Sequence, residues 1–187
     1  MRRASHALAH DGRAWLVDPV DGPGLDDALA GLGPVAGVVC LLGRHRRDAG
    51  ALAARHGAAL HMVPAGGVPG APFHAATLMR RPWREVALWW PERRLLAVAE
   101  AVGTAPYFRE PGARVGVHPL LRAAPPRPLL RVAPRVLLCG HGAPLHAGDV
   151  AADLHAAIRG ARRGIPRWLR GLPAALRAPD RPDPGGP

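Results

Sequence analysis

Five consecutive residues, Val38-Val39-Cys40-Leu41-Leu42, carry no polar side chain. A strand solvated on one face alternates apolar with polar, so this short unbroken run predicts a strand buried on both faces. A second apolar run, Arg135–Cys139, predicts the last strand. Around them strand-like and helix-like stretches alternate. Ala14–Val17 reads as a strand closed by the turn-rich Asp18–Gly24. Leu25–Leu32 has helical spacing and stops at Gly33-Pro34. Asp48–His56 is a short helix capped by Gly57, Ala59–Val63 a strand and Pro64–Pro72 a loop. Glu85–Trp90, the turn Pro91–Arg94 and Leu95–Ala99 read as a hairpin, in which one of Trp89 and Trp90 packs in the core. Gly103–Arg122 is broken by Pro106, Pro111 and Pro119, and Pro125–Pro128 is a turn. Asp149–Arg163 is an amphipathic helix with an acidic first turn and a basic last turn. Trp168–Leu176 is a further short helix. Strands and helices in this order favour an α/β protein, with one domain over 1–178 and a disordered Pro/Gly-rich tail at 179–187.

The net charge of +11 would ordinarily point to nucleic acid or an anionic surface. All 25 basic residues, however, are Arg; the chain has no Lys, Asn or Gln, and only two Ile. That bias follows G/C-rich coding, so the charge is discounted as a sign of function. The only cysteines, Cys40 and Cys139, lie in apolar runs and read as buried thiols of a cytoplasmic protein, since two are too few for a disulfide framework. Val35–Leu42, the longest apolar stretch, is too short to span a bilayer, and no apolar segment follows Arg2 and Arg3 as a signal peptide would require; no membrane partner is expected. Ser5 is the only serine and Gly-x-Ser-x-Gly is absent, which excludes a serine hydrolase. A phosphate loop of the Gly-x-x-x-x-Gly-Lys type is impossible without lysine.

Two segments at strand ends carry a pattern. Gly43-Arg44-His45-Arg46-Arg47-Asp48-Ala49-Gly50 follows the first apolar run, and Gly140-His141-Gly142 follows the second. Their order resembles the metallo-β-lactamase superfamily, whose first motif reads Thr-His-x-His-x-Asp-His-x-Gly and whose last reads Gly-His-Gly. Leu16-Val17-Asp18-Pro19 is similar to that family's early strand ending in Asp-Pro, and Glu85–Ala99 to its later hairpin. The resemblance spans roughly Ala14 to Arg163. It implies an α/β fold of αββα type, two mixed sheets with helices on the outer faces.

The resemblance also implies a site, and here the residues depart from it. In working members histidines and aspartates hold two zinc ions that clamp and activate a water. Gly43 stands at the first His, His45 at the second, Arg47 at the Asp and Asp48 at the His beside it. Arg81 or a neighbour stands where the middle His belongs, Glu100 at the bridging Asp, and His141 is retained. Moving His45 onto the first His would put Ala49 and Gly50 on the Asp and His, a poorer match. Asp48, Glu100 and His141 are the residual candidate metal ligands, with His45 a further candidate; His45 and Glu100 are the candidate catalytic residues. A guanidinium within a few ångströms of a dication costs on the order of several kcal/mol at an effective dielectric near 20. Arginine therefore reads as the substitute for zinc, in a charge-paired Arg/Asp/Glu/His cluster.

Plainer readings stand beside these. His45 is equally a helix-N-terminal residue, Glu100 a salt-bridge partner of an arginine, and His141 an inherited loop residue whose flanking glycines allow a tight turn that exposes it. His146 lies in the same loop and is a weaker candidate, while His74 and His118 read as surface or hydrogen-bonding residues. Asp18 reads as a turn-bonding residue. Arg162, Arg163, Arg167 and Arg170 form the best basic patch, ordinarily a solvated helix face. The leading expectation is thus a degenerate metallo-hydrolase-like protein with no cofactor, acting on an unidentified small molecule or protein. The alternatives are a hydrolase with one residual zinc or similar metal, and a basic protein that binds nucleic acid or an acidic partner.

Overall fold

The computed structural model describes residues 3–46 and 48–178. The expected tail at 179–187 and Arg47 lie outside the described residues. The chain divides into two compact units, one over Ser5–Trp90 and the other over Met1–Ala4 with Pro91–Pro187. Both mix strands with helices, giving the α/β class the alternation predicted.

In the first unit, β1 (His6–His10) and β2 (Arg13–Val17) form an antiparallel hairpin. Asp11 and Gly12 turn it with φ of 47° and 68°, the two left-handed residues of a tight primed turn. β2 runs parallel to β3 (Val35–Cys40), and β3 parallel to β4 (Ala59–Met62), in the order β1-β2-β3-β4. The crossovers are α1 (Leu25–Ala30) and α2 (Ala49–Arg55). Leu29 of α1 and Ala49 and Ala53 of α2 join Leu16, Val38 and Cys40 in one buried cluster, which is why the β3 run needs no polar residue. Gly37 lets β3 pass Trp15: a Cβ there would stand 2.5 Å from the indole ring. Beyond the loop come β5 (Gly66–Gly67), β6 (His74–Met79) and β7 (Glu85–Trp90), joined antiparallel. Trp90 is buried and Trp89 only partly so, as strand alternation requires.

In the second unit, β8 (Leu95–Val98) lies parallel to β11 (Val136–Cys139). The irregular stretch between them contains the short antiparallel pair β9 (Val102–Gly103) and β10 (Gly116–Val117) and two single-turn helices, Pro119–Leu121 and Arg127–Arg131. Asp149 caps α3 (Val150–Gly160), its carboxylate accepting from the Ala152 N–H at 2.9 Å. α4 spans Ile165–Arg177, longer at both ends than its spacing suggested. Its start is tied down by Glu110, which pairs with Arg122 and Arg167, each at 3.2 Å. Gly164 leaves room for that carboxylate, since a Cβ there would overlap it. Burial pulls the Arg122 guanidinium below its ordinary value while Glu110 pushes it back up. Among the described residues no helix is long and apolar enough to cross a membrane.

Candidate functional site

The loop after β3 is fastened to the start of β7. Val86 N–H donates to Leu41 O at 2.9 Å and Gly43 N–H to Arg84 O at 3.2 Å. This anchoring delivers His45 to the interior: the residue is 7% exposed. Its Nδ1 lies 3.2 Å from Asp18 Oδ2, and both side chains are buried. Asp18 Oδ1 accepts from the Leu41 N–H at 2.9 Å, so one carboxylate ties the end of β2 to the end of β3 and to the imidazole. Asp18 does this with φ of 44°, a left-handed conformation that Asp tolerates better than most residues. The Cys40 thiol donates to His45 O at 3.5 Å, and burial, aided by the Asp18 carboxylate, pushes that thiol up to about 12.

Asp48 is partly buried at the N-terminus of α2, and its Oδ2 accepts from the Asp21 N–H at 3.0 Å. Asp21 in turn pairs with Arg55, which holds the Asp21 carboxyl below its usual value. Arg81 is exposed, so it is not part of a buried charge cluster. The arginine that instead meets the chain near β7 is Arg44, whose guanidinium lies 4.4 Å from the Trp83 ring centre. Trp83 Nε1–H donates to Glu85 Oε2 at 2.6 Å, and Glu85 is fully buried. Nothing in the residue spacing announces this Arg44/Trp83/Glu85 chain, because stacking and indole donation leave no spacing pattern.

In the second unit, Glu100 and His141 come together. Glu100 Oε1 lies 3.7 Å from His141 Nε2, with both side chains about nine-tenths buried. Phe108 stacks on the imidazole, ring centres 5.7 Å apart. His141 is 8% exposed, so the tight turn buries it where exposure was expected. The reason is the closeness of neighbouring backbone. A Cβ on Gly140 would stand 2.5 Å from Ala99 O, and one on Gly142, at φ 97°, would stand 2.3 Å from Ala105 N. Thr104 and Ala105 N–H groups both donate to His141 O, at 3.1 and 3.3 Å. Packing therefore requires the two glycines whatever the histidine does.

Among the described residues no group of three or more His, Cys, Asp or Glu side chains is arranged to hold a metal ion.

No family model matches the sequence. No curated protein matches it either. Solved structures do. A chemotaxis sensor, ODP, from T. denticola, in its apo state, aligns with TM-score 0.57 and 14% identity over 82% of this chain and 83% of its own. TTHA1623 in a di-iron-bound form aligns with TM-score 0.53 and 16% identity over 76% and 88%. DIM-1 metallo-β-lactamase aligns with TM-score 0.51 and 13% identity over 89% and 86%. Identities this low speak to architecture and not to chemistry. On architecture the sequence pattern and the structural matches agree: this chain has the metallo-β-lactamase fold.

Proposed function

We propose that this protein uses the metallo-β-lactamase fold to bind a small molecule or a protein, in a sensing or regulatory role, and lacks a working dinuclear metal centre. The observation that carries this is that the inherited ligand positions meet in pairs, two of the three with a group from outside the ligand set. His45 faces Asp18 at 3.2 Å, His141 faces Glu100 at 3.7 Å, and Asp48 accepts from the Asp21 N–H. A dinuclear zinc site needs clusters of three or more donors, not pairs. The similar structure described as a chemotaxis sensor supports a sensing task on this fold. Two buried cysteines outside any disulfide fit a reducing compartment, and the proposal includes a cytoplasmic location.

A hydrolase with one metal held by Asp48, Glu100 and His141 is the second reading, favoured by the Glu100/His141 pair and by the di-iron form of TTHA1623. Elemental analysis of the purified protein separates the two. The binding role predicts zinc and iron far below one per chain, unchanged by His141→Ala. Near-stoichiometric metal that is lost on His141→Ala would overturn it in favour of the hydrolase, and esterase and phosphodiesterase assays would follow. Steeply salt-dependent binding to duplex DNA, with no metal, would instead favour a nucleic-acid role.

A further inference from the structure

The last described stretch of the chain is set apart by charge. Between Asp153 and Asp180 lie six arginines, Arg159, Arg162, Arg163, Arg167, Arg170 and Arg177, and no acidic residue. G/C-rich coding explains Arg in place of Lys but not the loss of Asp and Glu. A hollow of about 500 Å³ at the end of α3 has Arg127, Arg159, Arg162 and Arg163 in its wall and no acid.

α4 follows in the chain and has two faces. On the inner face Trp168 Nε1–H donates to Tyr107 O at 2.8 Å, the Trp168 ring meets Tyr107 edge-on at 6.2 Å, and Gly171 lies against Pro111. These contacts fix the helix on its unit and leave the outer face open. There Leu169 is 52% and Leu176 67% exposed, with exposed Pro173 between them. The spacing i, i+4, i+7 makes one apolar stripe, flanked by exposed Arg167, Arg170 and Arg177.

We propose that this face docks on an anionic phospholipid bilayer. Leu169 and Leu176 enter the boundary between headgroups and acyl chains, and the surrounding arginines pair with lipid phosphates. An apolar stripe bordered by like charge suits that environment. It suits nucleic acid poorly, because exposed aliphatic side chains gain nothing on a phosphate backbone and Trp168, the only aromatic ring of the helix, is held by Tyr107. A second copy is disfavoured, because its arginines would face these. The expectation of no membrane partner rested on the lack of a spanning segment and on the discounted charge; peripheral docking needs no such segment.

Co-sedimentation of the full chain with phosphatidylcholine vesicles, with and without phosphatidylserine, tests this. Binding is expected only with phosphatidylserine and weakens as salt rises. Removing Arg170 or Arg177 as alanine weakens it about fivefold each. Leu169→Asp with Leu176→Asp weakens it on the order of thirtyfold, while Leu169→Phe retains it. All these side chains are exposed, and equal thermal melting of variant and parent confirms an intact fold. Absence of phosphatidylserine-dependent binding would overturn the proposal. So would unchanged vesicle affinity in the double aspartate variant, or equal affinity for duplex DNA, either of which marks a plain polyanion binder.

Discussion

If the Asp18/His45 pair is a structural tie and not part of a working centre, removing it must cost stability. Asp18→Ala deletes an acceptor of the Leu41 N–H at 2.9 Å and the partner of His45 Nδ1 at 3.2 Å, all in a buried setting. Hydrogen bonds to a charged group contribute about 1.5–3 kcal/mol each. Alanine at a left-handed φ adds about 1–2 kcal/mol of backbone strain. Allowing for partial relaxation and entry of water, the net loss is about 3–5 kcal/mol. Asp18→Asn tolerates the same φ and keeps an oxygen for Leu41, so it loses about 1–2 kcal/mol. Urea unfolding followed by circular dichroism measures both, with the slope unchanged and the midpoint lowered in the order parent, Asn, Ala. In thermal unfolding a chain of this size shifts by about 2–4 °C per kcal/mol. A residue kept for catalysis or ligand binding behaves in the opposite way, since relieving a functional site commonly raises stability. An Asp18→Ala midpoint equal to or above that of the parent would refute the structural assignment of the pair.

The Cys40 thiol, raised to about 12, is protonated in the folded state while the unfolded thiol titrates near 8.5. Its contribution to stability is therefore complete below about pH 8.5 and is lost as pH rises towards 12. A thiol reagent at neutral pH should leave Cys40 unmodified until denaturant unfolds the chain; rapid native-state labelling, located by peptide mapping, would contradict this. Asp21 has the opposite sign. Its folded pKa is lowered by Arg55, so its contribution is present above the unfolded value of about 3.9 and lost as pH falls through the lower folded value. Arg55→Ala should flatten the acid limb of the stability curve below about pH 4, as seen by comparing unfolding midpoints of the two proteins across that range.

What the sequence revealed was what depends on long apolar runs. β3, β7, β8 and β11 appear within a few residues of their expected bounds, because a strand buried on both faces leaves a run without polar breaks. β1 leaves no such run: His6–His10 is short and half-exposed, and only the Asp11-Gly12 turn marks it. β6 was missed because its buried residues, Ala75 and Leu78, fall out of step around a register shift near Thr77. The spacing singled out His45, Asp48, Glu100 and His141, and of their contacts only that of Glu100 with His141 was implied, through the shared ligand set. Asp18 meets His45 across many residues of chain, and no local pattern records a contact made by folding.

The glycines beside His141 carry a wider lesson about reading motifs. Gly140 and Gly142 are demanded by Ala99, Thr104 and Ala105 pressing on that loop. A lineage could therefore abandon the chemistry of a Gly-His-Gly signature and still be unable to replace its glycines without unfolding the loop. Such a signature dates the architecture and is silent on whether the enzyme is still at work, so a census of hydrolases built on it would count retired members with active ones.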